Sequence, residues 1–224
     1  MSTRSDALDR LWFGVDPFAS FPTGLYAADL QGWNDDHPLL IQAVRQIRPR
    51  TVVEIGVWKG RSIVTIGRMM RELGLDGVIV AIDTWLGSAE HWFDRDYNRS
   101  LRFEAGYPKL YHCFMQNMVA EELQNLVLPL PIDSINGAEV FRGRGMVADL
   151  IHLDGAHDYR SVRSDLEVWW GLLRPGGCIV CDDYVEDGSA WPGLKRAVDE
   201  FVATCAPAGF EARYPKCLIV KPTS

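Results

Sequence analysis

The stretch that most constrains this chain is Thr51 to Ser62, TVVEIGVWKGRS. A β-branched and apolar run, Thr51-Val52-Val53-Glu54-Ile55, leads into Gly56; Gly60 and Ser62 follow, and an amphipathic run opens at Ile63. A short apolar run of this kind suits a strand buried on both faces, and the glycines suit a turn into a helix N-terminus. Such a turn presents backbone N–H groups and the positive end of a helix dipole to an anionic or polar ligand. Glycine lets that ligand approach the main chain closely. The spacing here is Glu-x-Gly-x-Trp-x-Gly-x-Ser, which departs from the Gly-x-Gly-x-x-Gly of dinucleotide binders. Glu54 adds a carboxylate beside the glycines, which matches a ligand carrying positive charge better than a pyrophosphate. The plainer alternative is a surface Glu on a strand terminus.

A length of 224 residues with 47% hydrophobic content suffices for one α/β domain with a full core. A net charge of -7 argues against general nucleic-acid or polybasic membrane binding. No apolar run reaches transmembrane length and MSTRSDALDRLW has no signal-peptide core, so a cytoplasmic protein is expected. The five cysteines are scattered. Cys178 and Cys181 form a Cys-x-x-Cys inside an apolar strand. Residues three apart on a strand face opposite ways, a poor geometry for one metal or disulfide, so buried, reduced thiols are expected.

Residues 1–37 lack clear periodicity and are expected to form an irregular N-terminal segment or lid, with a short helix near Ala7 to Phe13; residues 38–224 form the main domain. Leu39 to Ile47 reads as a helix stopped by Pro49, and Ser62 to Leu73 as one closed by Gly74. Val78 to Ile82 is a second buried strand ending in Asp83. A long polar and aromatic insertion follows, with Trp85, Gly87, His91, Trp92, Phe93, Asp94 and Tyr97. Loops of that length are often lids or binding loops, although Trp85 and Trp92 also suit core anchors. The pattern then predicts a helix over Tyr111 to Leu126 and a strand over Val127 to Ile132, with Pro129 and Pro131 placing it toward a sheet edge. A short helix at Ala138 to Arg142, a strand from Val147 to Leu153, and a helix from Ser161 to Leu173 come next. Cys178 to Cys181 is the fifth strand, Leu194 to Thr204 the last helix, and Phe210 to Tyr214 with Lys216 to Val220 a closing antiparallel pair. Alternating strands and helices predict an α/β fold: a doubly wound, seven-stranded, mostly parallel sheet with a C-terminal antiparallel strand pair.

In an open parallel sheet, ligands bind outside the carboxyl ends of the strands. Glu54, Asp83, Ser134, Asp154, Asp182 and Asp183 all fall there. Asp83 suits a carboxylate accepting from two ribose hydroxyls, or one capping the next segment. Asp154, Asp182 and Asp183 end neighbouring strands, where packed carboxylates repel and raise one another's pKa. A hard divalent cation such as Mg²⁺ relieves this; capping roles are the alternative. His157 lies three residues past Asp154 and can take a proton near neutral pH, or serve as a stacked structural residue.

These residues resemble the class I S-adenosylmethionine-dependent methyltransferases, and within them the metal-dependent small-molecule O-methyltransferases with an Asp-Gly-x-His-x-Tyr loop, here Asp154 to Tyr159. The likeness spans about Val52 to Tyr184 and implies a Rossmann-like methyltransferase fold. It implies that Glu54, Gly56, Trp58 and Ser62 hold the methionine end of S-adenosylmethionine, that Asp83 holds the ribose, and that Ser134 lies on the adenine side. It implies Mg²⁺ on Asp154, Asp182 and Asp183, and places His157 where catechol-type enzymes carry a lysine base. The expected activity is Mg²⁺-dependent O-methylation of a small hydroxylated natural product or sugar. The expected partners are that acceptor and no nucleic acid or membrane, with a homo-oligomer left open. The alternatives are a metal-independent methyltransferase, a nicotinamide oxidoreductase, disfavoured by the turn's spacing, and a non-catalytic cofactor-binding module. The insertion from Trp85 to Pro108 and the N-terminal segment depart from the family and are where an acceptor would be chosen.

Overall fold

The structure is a computed structural model that describes residues 2–185 and 190–224. It opens with helix α1 (Thr3–Trp12), capped by Ser2, whose side chain accepts from the Ser5 amide. The N-terminal segment is therefore less irregular than its composition suggests: α1 buries Ala7 and Leu11 in the core, and Trp12 Nε1 donates to the Pro129 carbonyl at 2.9 Å. Helix α2 (Pro38–Ile47) follows, with Pro at its first position, where a missing N–H costs nothing.

Strand β1 (Thr51–Ile55) and helix α3 (Arg61–Glu72) flank the glycine turn, and β2 (Val78–Ile82) follows. The insertion carries two short helices, α4 (Ala89–Phe93) and α5 (Arg95–Ser100). Helix α6 (Leu110–Ala120) ends earlier than predicted, because Glu122 turns into the left-handed region at φ 59° and only a single 3₁₀ turn follows. Strand β3 (Val127–Leu130) leads to α7 (Ser134–Gly143). That helix starts four residues before the predicted Ala138, because Asp133 caps it through the Asn136 amide. Strand β4 (Ala148–Leu153), α8 (Tyr159–Leu172), β5 (Leu173–Cys181), α9 (Pro192–Cys205), β6 (Gly209–Arg213) and β7 (Lys216–Val220) complete the chain. β5 begins at Leu173, not Cys178: the Arg174–Gly177 stretch is extended, and its pairing with β4 slips between Ala148 and Leu150.

The seven strands order as β3-β2-β1-β4-β5-β7-β6. Pairings among β1 to β5 are parallel, and β7 pairs antiparallel with both β5 and β6. The proline-bearing β3 lies on one edge, as its missing N–H donors require. Alternate strand residues feed two cores. Val53, Ile55, Ile151 and Ile179 pack against α1, α7, α8 and α9; Val52, Ile79, Leu150 and Val180 pack against α2, α3 and α6. Cys178 and Cys181 fall on opposite faces, and all five cysteines are free. Among the described residues no helix is long and apolar enough to cross a membrane.

β1 exits between β2 and β4, so its turn sits where the parallel strands diverge. Gly56 has φ 77°, and a Cβ there would lie 2.0 Å from the Asp154 carbonyl oxygen and 2.5 Å from Gly155 Cα. The Asp154 amide donates to the Ile55 carbonyl (2.8 Å) and the Gly56 amide to the Ile82 carbonyl (3.0 Å). Glycine is thus what allows the ends of β1 and β4 to touch. Gly56→Ala should lower stability by about 1–3 kcal/mol from the backbone conformation alone, and by more from overlap with rigid main chain. Urea unfolding reads this directly, and an unshifted midpoint would rule out the close approach.

Candidate active site

Three adjoining cavities run along the carboxyl edge of the sheet. The first, of about 430 Å³, is lined by Gly56, Asp83, Ser134, Asp165 and their neighbours. The second, of about 250 Å³, shares Gly56 and Asp83 with it and adds Trp58, His91, Asp154 and His157. The third, of about 210 Å³, shares Asp154 and His157 and adds Tyr97, Asp182 and Trp191. A bound molecule can therefore extend from the β2 and β3 ends to the β4 and β5 ends.

Asp83 grips the turn itself. Its Oδ2 accepts from the Val57 (2.8 Å) and Trp58 (3.0 Å) amides and its Oδ1 from the Trp85 amide (2.7 Å). Oδ2 is thereby filled, and Oδ1 keeps one acceptor site for a ligand hydroxyl. Burial pushes the Asp83 carboxyl up, against those amides, which lower it. Ser134 accepts from Trp169 Nε1 at 2.8 Å. Trp58 sits at φ 53°, with its ring 4.6 Å from that of His91 and its Nε1 on Gln31 Oε1 (2.9 Å). α3 has Gly60 as its N-cap and therefore no side-chain cap, so among the described residues its first-turn amides have no side-chain acceptor.

Glu54 and Ser62 sit elsewhere. Neither lines the three cavities; both are buried beneath them, and Ser62 Oγ donates to Glu54 Oε1 (2.5 Å). The alternation of β1 explains this. Glu54 shares the face of Val52, toward α3, and its cross-strand neighbour on β4 is His152. His152 Nδ1 lies 3.4 Å from Glu54 Oε2, and its Nε2 lies 3.2 Å from Lys216 Nζ at the head of β7. Lys216 in turn pairs with Asp182 Oδ2. Glu54, His152 and Lys216 are all 0% exposed. The ammonium can only donate, so His152 Nε2 accepts and Nδ1 carries the proton toward Glu54. His152 and Lys216 escaped sequence reading; the signal was a lone polar residue at an inward position of an apolar strand.

The three aspartates have separate surroundings. Asp182 has both oxygens engaged, Oδ2 by Lys216 and Oδ1 by the Asp183 amide (2.8 Å). Asp183 Oδ2 lies 2.9 Å from His157 Nε2. His157 stacks on Trp191 with ring centroids 4.1 Å apart, and among the described residues its buried Nδ1 has no partner. Among the described residues the Asp154 carboxylate has no hydrogen-bond partner. Burial, then Asp182, pushes its carboxyl well up, and Lys216 opposes this. Among the described residues, donor atoms fall within 4.8 Å of one another in two sets, His152-Asp154-Asp182 and Asp154-His157-Asp183. The all-oxygen trio expected for Mg²⁺ is not one of them, and a dication on Asp182 would face the Lys216 ammonium at close range. The residues present do not fit that Mg²⁺ arrangement.

The insertion and N-terminal segment wall the cavities. Trp33, Asn34, Ser88, Glu90, His91 and Tyr97 line the third. Trp85 is a core anchor, 1% exposed and packed on Tyr111 and Phe114, whereas Trp92 is exposed. Asp29, another residue without a sequence signal, ties these parts together: its Oδ2 accepts from Lys59 and Arg102, each at 2.7 Å, and Asn117 binds its main chain.

Comparison with known proteins gives the chain's family and fold relatives. The methyltransferase-domain family matches residues 53–184, more than half of the chain, and the chain belongs to that family. The uncharacterised protein y4gI of Sinorhizobium fredii is 26% identical over 153 residues, 67% of this chain, and the chain spans 15% of that relative's length. The O-methyltransferase TomG of Streptomyces achromogenes, involved in tomaymycin synthesis and solved with SAM, superposes with a TM-score of 0.58 at 16% identity over 86% of this chain and 82% of its own. The Bacillus cereus O-methyltransferase solved with SAH gives 0.55 at 16% identity, over 98% of each chain. The O-methyltransferase NovP gives 0.60 at 20% identity, over 82% and 77%. At these identities the likeness is one of fold.

Asp165 of α8 is a further cavity residue that the sequence did not reveal. Burial pushes its carboxyl up to about 6, helped by Asp133 and Asp158 and opposed by Ser134. The folded protein therefore holds this proton more tightly than the unfolded chain. The stability it contributes is full below about pH 4 and falls as pH rises through about 6, by about 2–3 kcal/mol in all. Asp165→Asn should flatten that decline, with unfolding midpoints compared between acid and neutral pH. Parallel wild-type and variant curves would contradict the assignment.

Proposed function

We propose that this protein is an S-adenosylmethionine-dependent O-methyltransferase acting on a small hydroxylated acceptor such as a natural product or sugar. The observation that carries this reading is the Asp183-His157 pair at 2.9 Å, lining a cavity continuous with the glycine turn, with a buried His157 Nδ1 that has no partner among the described residues. In this reading Gly56, the α3 N-terminus and Trp58 flank the amino-acid end of the cofactor, Asp83 takes one ribose hydroxyl on Oδ1, and Ser134 and Asp165 line the adenine end. Glu54 and Ser62 support the turn from beneath. When bound, the sulfonium supplies an electrophilic methyl group with a neutral thioether as leaving group.

The chain's own residues then have to hold the acceptor in line and remove its proton. His157 accepts the hydroxyl proton at Nδ1, which is buried here and has to be uncovered as the acceptor binds. Asp183 accepts from Nε2–H, fixing the tautomer and stabilising the imidazolium that forms. Trp191 holds the ring plane by stacking. Trp33, His91 and Tyr97 wall the acceptor cavity, and closure of the insertion and N-terminal segment over it would exclude water. The expected Mg²⁺ has no step in this mechanism, since Lys216 and His157 already occupy Asp182 and Asp183.

The test is calorimetry with S-adenosylmethionine and NADH, followed by methyl transfer to a panel of hydroxylated acceptors. S-Adenosylmethionine should bind and NADH should not. Asp83→Ala should weaken cofactor binding by about 1.5–3 kcal/mol through loss of a charge-assisted hydrogen bond. His157→Ala should lower kcat by roughly 10²–10⁴-fold, with partial recovery at high pH as the acceptor ionises unaided. A wild-type rate in that variant would return His157 to a structural role.

A further inference from the structure

The buried chain Ser62-Glu54-His152-Lys216-Asp182 has no part in the mechanism above, yet it ends on the acid cluster. A lysine ammonium that is 0% exposed is costly unless it is paired and hydrogen-bonded. Lys216 meets that condition through Asp182 and His152. Its charge lies on the carboxylate that the metal-dependent reading assigns to a dication. The pairing is built by topology. β7 runs antiparallel to β5, with Cys217 opposite Cys181, so the head of β7 falls beside the carboxyl end of β5. Lys216 thus reaches Asp182 from beneath the cavity, on the side away from a ligand.

We propose that Lys216 is a positioning residue that takes the place of a divalent cation, so that methyl transfer at this site proceeds without a metal. Lys216 neutralises Asp182, and Asp182 Oδ1 fixes the Asp183 amide. That orients Asp183 toward His157 Nε2. His152 Nε2 holds Lys216 from the other side; beyond it His152 Nδ1 faces Glu54 Oε2 at 3.4 Å without a hydrogen bond, and Glu54 Oε1 accepts from Ser62 on the first turn of α3. The ammonium therefore does for the carboxylates what a dication would do, and leaves Asp154 facing the cavity. This rests on the methyl-transfer reading for its functional part, but the charge substitution itself is tested without turnover.

The experiment is a Mn²⁺ titration of the full chain followed by electron paramagnetic resonance, with Lys216→Met and Asp154→Asn alongside. The wild type should leave Mn²⁺ free. Lys216→Met removes the competing cation and should take up Mn²⁺ at Asp182 and its neighbouring carboxylates. Pairing it with Asp182→Asn removes both charges and should restore the stability lost in the single variant while abolishing that uptake. Wild-type turnover should survive EDTA unchanged, whereas turnover by Lys216→Met should fall and recover with added Mg²⁺. Mn²⁺ bound to the wild type and lost in Asp154→Asn would overturn the proposal, as would a folded Lys216→Met that takes up none. If Lys216→Met does not fold, the wild-type spectrum and its EDTA response decide alone. Absence of S-adenosylmethionine binding by calorimetry would instead retire the methyl-transfer reading and leave the Mn²⁺ result standing.

Discussion

Charge buried on the α2 and α3 side of the sheet is the constraint on which the site depends. Glu54, His152, Lys216 and Asp182 come from β1, β4, β7 and the end of β5, and each is nearly or fully excluded from water. None of these groups is tolerable there alone. Together they form a chain in which Lys216 contacts both Asp182 and His152 Nε2, His152 Nδ1 faces Glu54 Oε2 at 3.4 Å without a hydrogen bond, and Glu54 Oε1 accepts from Ser62. The chain fixes the relative depth of four strand ends, and those ends carry every candidate catalytic group. An apolar replacement of similar volume can stabilise a fold as well, so retention of such a chain points to positioning more than to raw stability.

The same arithmetic explains why the aspartates differ. Asp182 has a cation beneath it and Asp183 a histidine beside it. Asp154 has no hydrogen-bond partner among the described residues, and its carboxyl is pushed up by burial and by Asp182. Asp83 shows another division of labour: three backbone amides consume most of its acceptor capacity in shaping the turn, and one position is left over. Residues adjacent in a motif thus split between building the crevice and facing it. Glu54 and Ser62 build it; Gly56, Trp58 and Asp83 do both.

The cavity walls are anchored on the apolar core through Trp85 and Leu101 and are tied to one another by polar bonds. Asp29 receives Lys59 from the glycine turn and Arg102 from the insertion, while Asn117 of α6 clamps its backbone. One carboxylate therefore couples the N-terminal segment, the insertion and the turn. A change in any of the three reaches the others through it. This is a sound arrangement for parts that must close over a ligand, because charge-assisted bonds can reform after opening.

Local pattern determined the architecture. The apolar runs of β1 and β2, the prolines that send β3 to an edge, and the strand-end acids are all properties of neighbouring residues, and period and breaker chemistry are local. Helix ends were less legible, since Glu122 and Asp133 act through backbone angles and caps that compete with apolar periodicity. The position of the candidate site followed from a parallel sheet. The partners within it did not. Lys216 lies 64 residues from His152, and Asp29 lies 88 from Asn117. Which aspartate receives an ammonium, which receives an imidazole and which faces the cavity is decided by strand order and by which face each alternating side chain takes, and only the tertiary structure fixes both.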